Sequence, residues 1–108
     1  MINSQEVVTD ILLFNGLGVH VVNSGEEALQ NIAAHTYDAV LIDLELPGMN
    51  GWELLDNLRK ISSTPCIAIT AYDSEKVEQE AYRAGFVGYF GKPLDILTFG
   101  RKILEFMA

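Results

Sequence analysis

The sequence predicts an α/β domain built on a parallel sheet with helices on both faces. Three observations carry that prediction. Strand-like and helix-like stretches alternate along all 108 residues. The runs Ala39-Val40-Leu41-Ile42 and Pro65-Cys66-Ile67-Ala68-Ile69 are continuously apolar, as strands buried on both faces must be. Asp43, Thr70 and Lys92 then fall at or just beyond the carboxyl ends of three consecutive strands, the edge at which open α/β sheets bind ligands.

The elements follow in order. Gln5 to Asn15 places Val7, Val8, Ile11 and Leu12 on one helical face, and Gly16-Leu17-Gly18 ends it. Val19 to Val22 is short and β-branched, a strand by pattern. Ser24-Gly25-Glu26-Glu27 has the capping-box form, opening a helix that turns Ala28, Leu29, Ile32 and Ala33 inward. Tyr37 to Leu44 is the next strand, and Asn50-Gly51 starts a helix with Leu54, Leu55, Leu58 and Ile61 on its core face. Pro65 to Thr70 is strand-like. The helix from Asp73 to about Ala84 is polar, with a stripe of only Val77, Ala81 and Ala84, and Gly85 stops it. Val87 to Phe90 is a last short strand, after which Lys92-Pro93 turns the chain into a helix carrying Ile96, Leu97, Ile103, Leu104 and Met107 inward.

Composition narrows the function. A chain of 108 residues with 49% hydrophobic and 20% charged residues fits one globular domain. No apolar run is long enough to cross a bilayer and no signal-peptide pattern is present, so the cytoplasm is the expected compartment. Cys66, the single cysteine, lies in an apolar run and is expected to be a buried, inert thiol, which excludes an intrachain disulfide. A formal net charge of −8 with dispersed Lys and Arg argues against direct binding to nucleic acid or to an anionic membrane. His20, in a strand pattern, and His35, near a helix end, are expected to be structural.

Asp43 poses the central question, because a buried strand here ends on a carboxylate. An aspartate at that position often only caps the loop that follows. A carboxylate, a hydroxyl and an ammonium on one rim are, however, what a phosphoryl group needs: a nucleophile, a hydrogen-bond donor and a countercharge.

The motifs Leu41-Ile42-Asp43-Leu44, Pro47-Gly48-Met49-Asn50-Gly51, Ile69-Thr70-Ala71 and Tyr89-Phe90-Gly91-Lys92-Pro93 resemble those of response regulator receiver domains, over nearly the whole chain. The resemblance implies a flavodoxin-like, three-layer α/β/α fold. It implies that Asp43 accepts a phosphoryl group from a sensor histidine kinase or a phosphotransfer protein, that Thr70 bonds one phosphoryl oxygen, and that Lys92 pairs with another. Tyr89 matches the family's switch aromatic. The cofactor implied is Mg2+, with an oxygen from Asp43 and the backbone carbonyl of Glu45 as ligands, and a cis peptide is implied at Lys92–Pro93. The face formed by the polar helix, the Tyr89 strand and the last helix would meet a downstream effector protein.

One departure stands out. Receivers begin with an apolar strand ending in two adjacent acids that complete the Mg2+ site, whereas these 108 residues begin at the first helix. The expectation is a single receiver domain over residues 1–108, shortened at its amino end and lacking the central first strand, with upstream residues belonging to the natural protein. With fewer hard oxygen ligands, Mg2+ binding and phosphorylation are expected to be weak. The gap in the 2-1-3-4-5 strand order also offers strand edges for a homodimer. Two alternatives remain: a degenerate receiver acting only as an interaction module, and an Asp-nucleophile phosphatase, whose spacing Asp43-Leu44-Glu45 mimics.

Overall fold

The computed structural model describes residues 12–14 and 16–107. The chain divides into two compact units, Asn23–Leu94 and a smaller one drawn from its two ends.

In the larger unit the elements run α1 (Gly25–Ala34), β1 (Val40–Asp43), α2 (Gly51–Arg59), β2 (Cys66–Thr70), α3 (Glu75–Ala84) and β3 (Gly88–Gly91). The three strands form one sheet in the order β1-β2-β3, and both pairings are parallel. β2 is central, and every residue from Cys66 to Thr70 is buried, which explains its unbroken apolar run. Burial pushes the Cys66 thiol up from its ordinary range, with Arg59 opposing the shift, so it stays protonated and inert. Leu54, Leu55 and Leu58 line the buried face of α2, and Ala81 does so on α3. Each fully buried side chain of this size contributes about 1.5–3 kcal/mol relative to exposure.

The helix starts are built from local polar chemistry. Ser24 Oγ accepts from Glu27 N at 3.2 Å, while Glu27 returns its carboxylate to Asn23 N at 3.3 Å, one residue upstream of the usual capping-box target. Asn50 Oδ1 accepts from Glu53 N and Ser74 Oγ accepts from Val77 N, each satisfying an amide the helix leaves open. α3 ends at Gly85, whose φ of 117° is a left-handed conformation that suits glycine.

In the smaller unit residues 12–14 are helical. Leu17 N bonds Leu12 O, and Gly16 closes the turn with φ 82°. The expected Gln5–Asn15 helix otherwise lies outside the described residues. α4 (Ile96–Met107) opens at Asp95, whose Oδ1 accepts from Thr98 N at 2.9 Å. That hydrogen bond holds the Asp95 carboxyl below its ordinary value. Phe99 and Ile103 are buried, one helical turn apart.

Several expectations need correction. Residues 17–22 form no regular element, so Val19 to Val22 is not a strand. A β-branched run becomes a strand only against a ladder neighbour, and among the described residues the sheet consists of β1, β2 and β3 without Val19 to Val22. β1 starts at Val40 rather than Tyr37. Ile61 is 55% exposed, because α2 stops at Arg59 and the chain turns back on the Leu58 carbonyl. Ala33 and Ala84 are exposed, as are Leu97 and Leu104. Apolar spacing marks a face but cannot say how wide its buried part is. The side chains of Ile96 and Met107 lie outside the described residues.

Gly51 is the packing point that fixes the site. A Cβ there would stand 2.7 Å from Asp43 O and 2.7 Å from Leu44 Cα, so only glycine lets α2 approach the end of β1. Gly51→Ala is therefore expected to cost about 1–3 kcal/mol, measured by urea unfolding. Gly18→Ala, which meets nothing within 4 Å, should stay within about 0.5 kcal/mol of the parent.

Candidate functional site

The parallel ladder brings the predicted residues together at the carboxyl rim. Asp43 ends β1 opposite Ile69, and the next ladder bond runs from Leu44 N to Ile69 O at 2.9 Å. Thr70 ends β2 opposite Gly91, and Lys92 N donates to Thr70 O at 2.8 Å. The last residues of β1 and β2 and the first residue after β3 thus lie at the same edge of the sheet. The Lys92–Pro93 peptide is cis.

Lys92 Nζ meets Asp43 Oδ2 at 2.7 Å, with the side chains 25% and 34% exposed. Such a partly solvated pair contributes at most about 1 kcal/mol of stability, so its value lies in orientation rather than in holding the fold. Asp43 Oδ1 accepts from Glu45 N at 3.0 Å, a local turn bond of the kind aspartate favours. One Asp43 oxygen thus caps the loop that follows and the other faces the Lys92 ammonium. Gly51 buttresses the same backbone from beneath.

Thr70 is fully buried. Its hydroxyl donates to Glu45 Oε2 at 2.6 Å and accepts from Tyr72 N at 3.0 Å. Glu45 Oε1 accepts from Ala71 N at 2.7 Å. Tyr89 lies on β3, and its hydroxyl donates to Asp73 Oδ1 at 2.8 Å while Ser74 N approaches it at 3.4 Å. Asp73 also occupies the space a side chain at Gly91 would need.

The sequence pattern missed the Glu45 side chain and Asp73. Glu45 drew attention only for its spacing from Asp43 and for its carbonyl, because a contact across 26 positions to Ala71 leaves no periodic trace. The pattern puts Asp73 first in the polar helix, whereas that helix starts at Glu75 behind the Ser74 cap and Asp73 lies in the loop, bonded to Tyr89.

A Mg2+ ion prefers an octahedral shell of hard oxygens with several carboxylates. Among the described residues no group of three His, Cys, Asp or Glu is placed to hold a metal. Asp43 spends one oxygen on Lys92 and the other on Glu45 N, and the Glu45 carboxylate is turned to β2. One carboxylate and one carbonyl do not make a good Mg2+ site.

The site is a carboxylate, a hydroxyl and an ammonium at the carboxyl rim of a parallel α/β sheet, and comparison with known proteins gives the family of the domain that carries it. The model of the response regulator receiver domain matches residues 3–103, and the chain belongs to that family. The transcriptional regulatory protein HprR of Escherichia coli is 34% identical over 90 residues, covering 83% of this chain and 40% of that protein. The chain spans less than half the length of the first curated regulators it matches. The receiver domain of the Francisella response regulator 1452 superposes with a TM-score of 0.86 at 31% identity, over 96% of this chain and 86% of that one. The receiver domain of the sensor histidine kinase PA1611 from Pseudomonas aeruginosa has a TM-score of 0.84 at 26% identity, covering 95% and 87%, and it carries a magnesium ion in its active-site cleft. The flavodoxin-like fold expected from the motifs is therefore the fold of this family. Receiver domains are typically signalling modules rather than enzymes. No described helix is long and apolar enough to cross a membrane.

Burial, then the hydrogen bond to Asp73, push the Tyr89 hydroxyl up to about 12. The neutral phenol is the form the fold favours, so its stabilisation is complete below the ordinary value of 10.0 and is lost as pH rises through about 12. The stability difference between the parent chain and Tyr89→Phe should shrink across that window. Urea midpoints measured at pH steps from neutrality upward check it.

Proposed function

We propose that the chain is the phosphoacceptor module of a two-component phosphorelay, with Asp43 receiving the phosphoryl group of a phosphohistidine on a sensor kinase or a phosphotransfer protein. The observation that best supports this reading is the 2.7 Å pairing of Lys92 with Asp43, which orders the carboxylate beside a countercharge that a transferred phosphoryl group would share. In the transfer, one Asp43 oxygen attacks phosphorus from one side. The imidazole nitrogen leaves from the other with the bonding electrons, so an acyl phosphate replaces a phosphoramidate. Lys92 neutralises one oxygen of the transferred group and the Thr70 hydroxyl donates to another. Tyr89 and the loop ahead of α3 then carry the change to a downstream effector protein, and a relay with a sensor kinase places the domain in the cytoplasm.

Phosphorylation of the 108 residues is slow on this reading, because the described donors favour Mg2+ poorly. Acetyl phosphate with Mg2+ should add about one phosphoryl mass slowly, read by intact mass, and Asp43→Asn should abolish it. Continuous release of phosphate from an ester would instead make the chain a phosphatase and overturn the proposal.

Mg2+ affinity gives a separate check. Trp52 lies in the first turn of α2, its ring edge-on to Phe86 at 5.9 Å, close behind the Asp43 loop in sequence. Its fluorescence should respond to Mg2+ only at millimolar concentration or above, and the response should shift to lower concentration when an upstream strand ending in two acids is appended. Tight quenching of the present chain would contradict the weak site.

A second reading, an interaction module that no longer accepts phosphate, is favoured by one observation: Thr70 and Ala71 already have an anionic partner in Glu45. An Asp43→Asn chain that binds its effector as the parent does would support it.

A further inference from the structure

The contact between Glu45 and β2 is explained neither by the fold nor by the roles assigned above. Glu45 follows Asp43 by two residues, yet its carboxylate crosses to the neighbouring strand. One oxygen accepts from Thr70 Oγ1 at 2.6 Å and the other from Ala71 N at 2.7 Å. Both distances are at the short end of the range for hydrogen bonds to an ionised acceptor. Two neighbouring donors gripping the two oxygens of one planar anion form an oxyanion clamp.

The donors are used up. A hydroxyl carries one hydrogen, and that of Thr70 is committed to Glu45 while its lone pair receives Tyr72 N. A backbone amide also carries one hydrogen, and that of Ala71 is committed to the other Glu45 oxygen. Thr70 is fully buried, so water does not compete for that hydrogen. A phosphoryl group on Asp43 could reach Lys92 directly, but its oxygens would find the Thr70 and Ala71 hydrogens already taken and a carboxylate charge beside them.

We propose that the Glu45 carboxylate is an internal occupant of the phosphoryl-oxygen position, and that it must swing away before Asp43 can hold a phosphoryl group. The proposal deepens the phosphoacceptor reading and rests on it. The Glu45 backbone is tied to Asp43 separately, Glu45 N donating to Asp43 Oδ1, so the side chain can move without it. Glu45 is exposed, and its release requires no repacking of the core. When an Asp43 oxygen bonds to phosphorus and the donor leaves with its electron pair, the transferred group's oxygens take the two hydrogens that Glu45 gives up.

The experiment compares the parent chain, Glu45→Gln and Glu45→Ala. Amide proton NMR reports the clamp, because Ala71 N–H loses a charged acceptor in Glu45→Ala. Intact mass during incubation with acetyl phosphate and Mg2+ reports the occupant's effect on labelling. The expected result is an upfield shift of the Ala71 amide proton, smaller in Glu45→Gln, with labelling roughly tenfold faster in Glu45→Ala, the factor one charged hydrogen bond commands. An Ala71 resonance that stays in place in both variants would overturn the clamp. A shifted resonance with labelling unchanged or slower than the parent's would overturn the competition. A shifted resonance with no variant labelled at Asp43 would overturn the phosphoacceptor reading and the competition together, an outcome the other two do not produce.

Discussion

The register of β2 between its two parallel neighbours is the constraint on which the site depends. Side chains alternate along a strand, so a slip of one residue would turn Thr70 to the opposite face and break its reach to Glu45. All five residues of β2 are buried, and the ladder that holds its register continues past the strand ends through Leu44 N to Ile69 O and Lys92 N to Thr70 O. The backbone bonds that hold the sheet are the same bonds that place Asp43, Thr70 and Lys92 side by side. Gly51 adds the remaining restraint, since the close approach of α2 to Asp43 O fixes where the β1 carbonyl, and so the Asp43 side chain, can stand.

How much of this was legible in the sequence depended on the range of the interaction. The buried strands announced themselves through uninterrupted apolar residues, and Ser24 and Asn50 announced helix starts, because these signals arise from burial or from neighbours within a turn. The gathering of Asp43, Thr70 and Lys92 was legible too, since topology alone sends strand ends to one rim. Failures fell where a neighbour distant in sequence decides the outcome. Val19 to Val22 has strand-forming residues but not a strand's ladder, and Ile61 has the right spacing for α2 but follows its last turn. The Glu45 clamp is the extreme case, for its partners are determined only after β1 and β2 have paired.

The charges of the rim follow a common pattern. Three acids stand there, and each is met by a donor from another segment: Asp43 by Lys92, Glu45 by Thr70 and Ala71, Asp73 by Tyr89. Only one of those donors is a cation. A phosphoryl group arriving with its own negative charge therefore meets a region where acid outweighs base, and Lys92 cannot offset three carboxylates by itself. Extra positive charge, or removal of a carboxylate from the immediate site, is what would make the rim receptive. Receiver domains meet the first need with a divalent cation, as in the relative that carries magnesium; displacement of Glu45 would meet the second.

The loop between β2 and α3 is where these demands converge. Ala71 is held by Glu45, Tyr72 N by the Thr70 hydroxyl, Asp73 and Ser74 by Tyr89. Four consecutive residues are thus tied to rim side chains rather than to a core. The helix they lead into has only Ala81 buried, so few apolar contacts oppose a change in its starting position. On the proposed reading, a phosphoryl group that takes the Thr70 and Ala71 hydrogens replaces one anchor of this loop with another of different reach, while Tyr89 retains its hold on the far end. The loop would then be re-aimed without being released, and the polar, weakly anchored surface of α3 is the part of the unit best able to carry that movement to a partner.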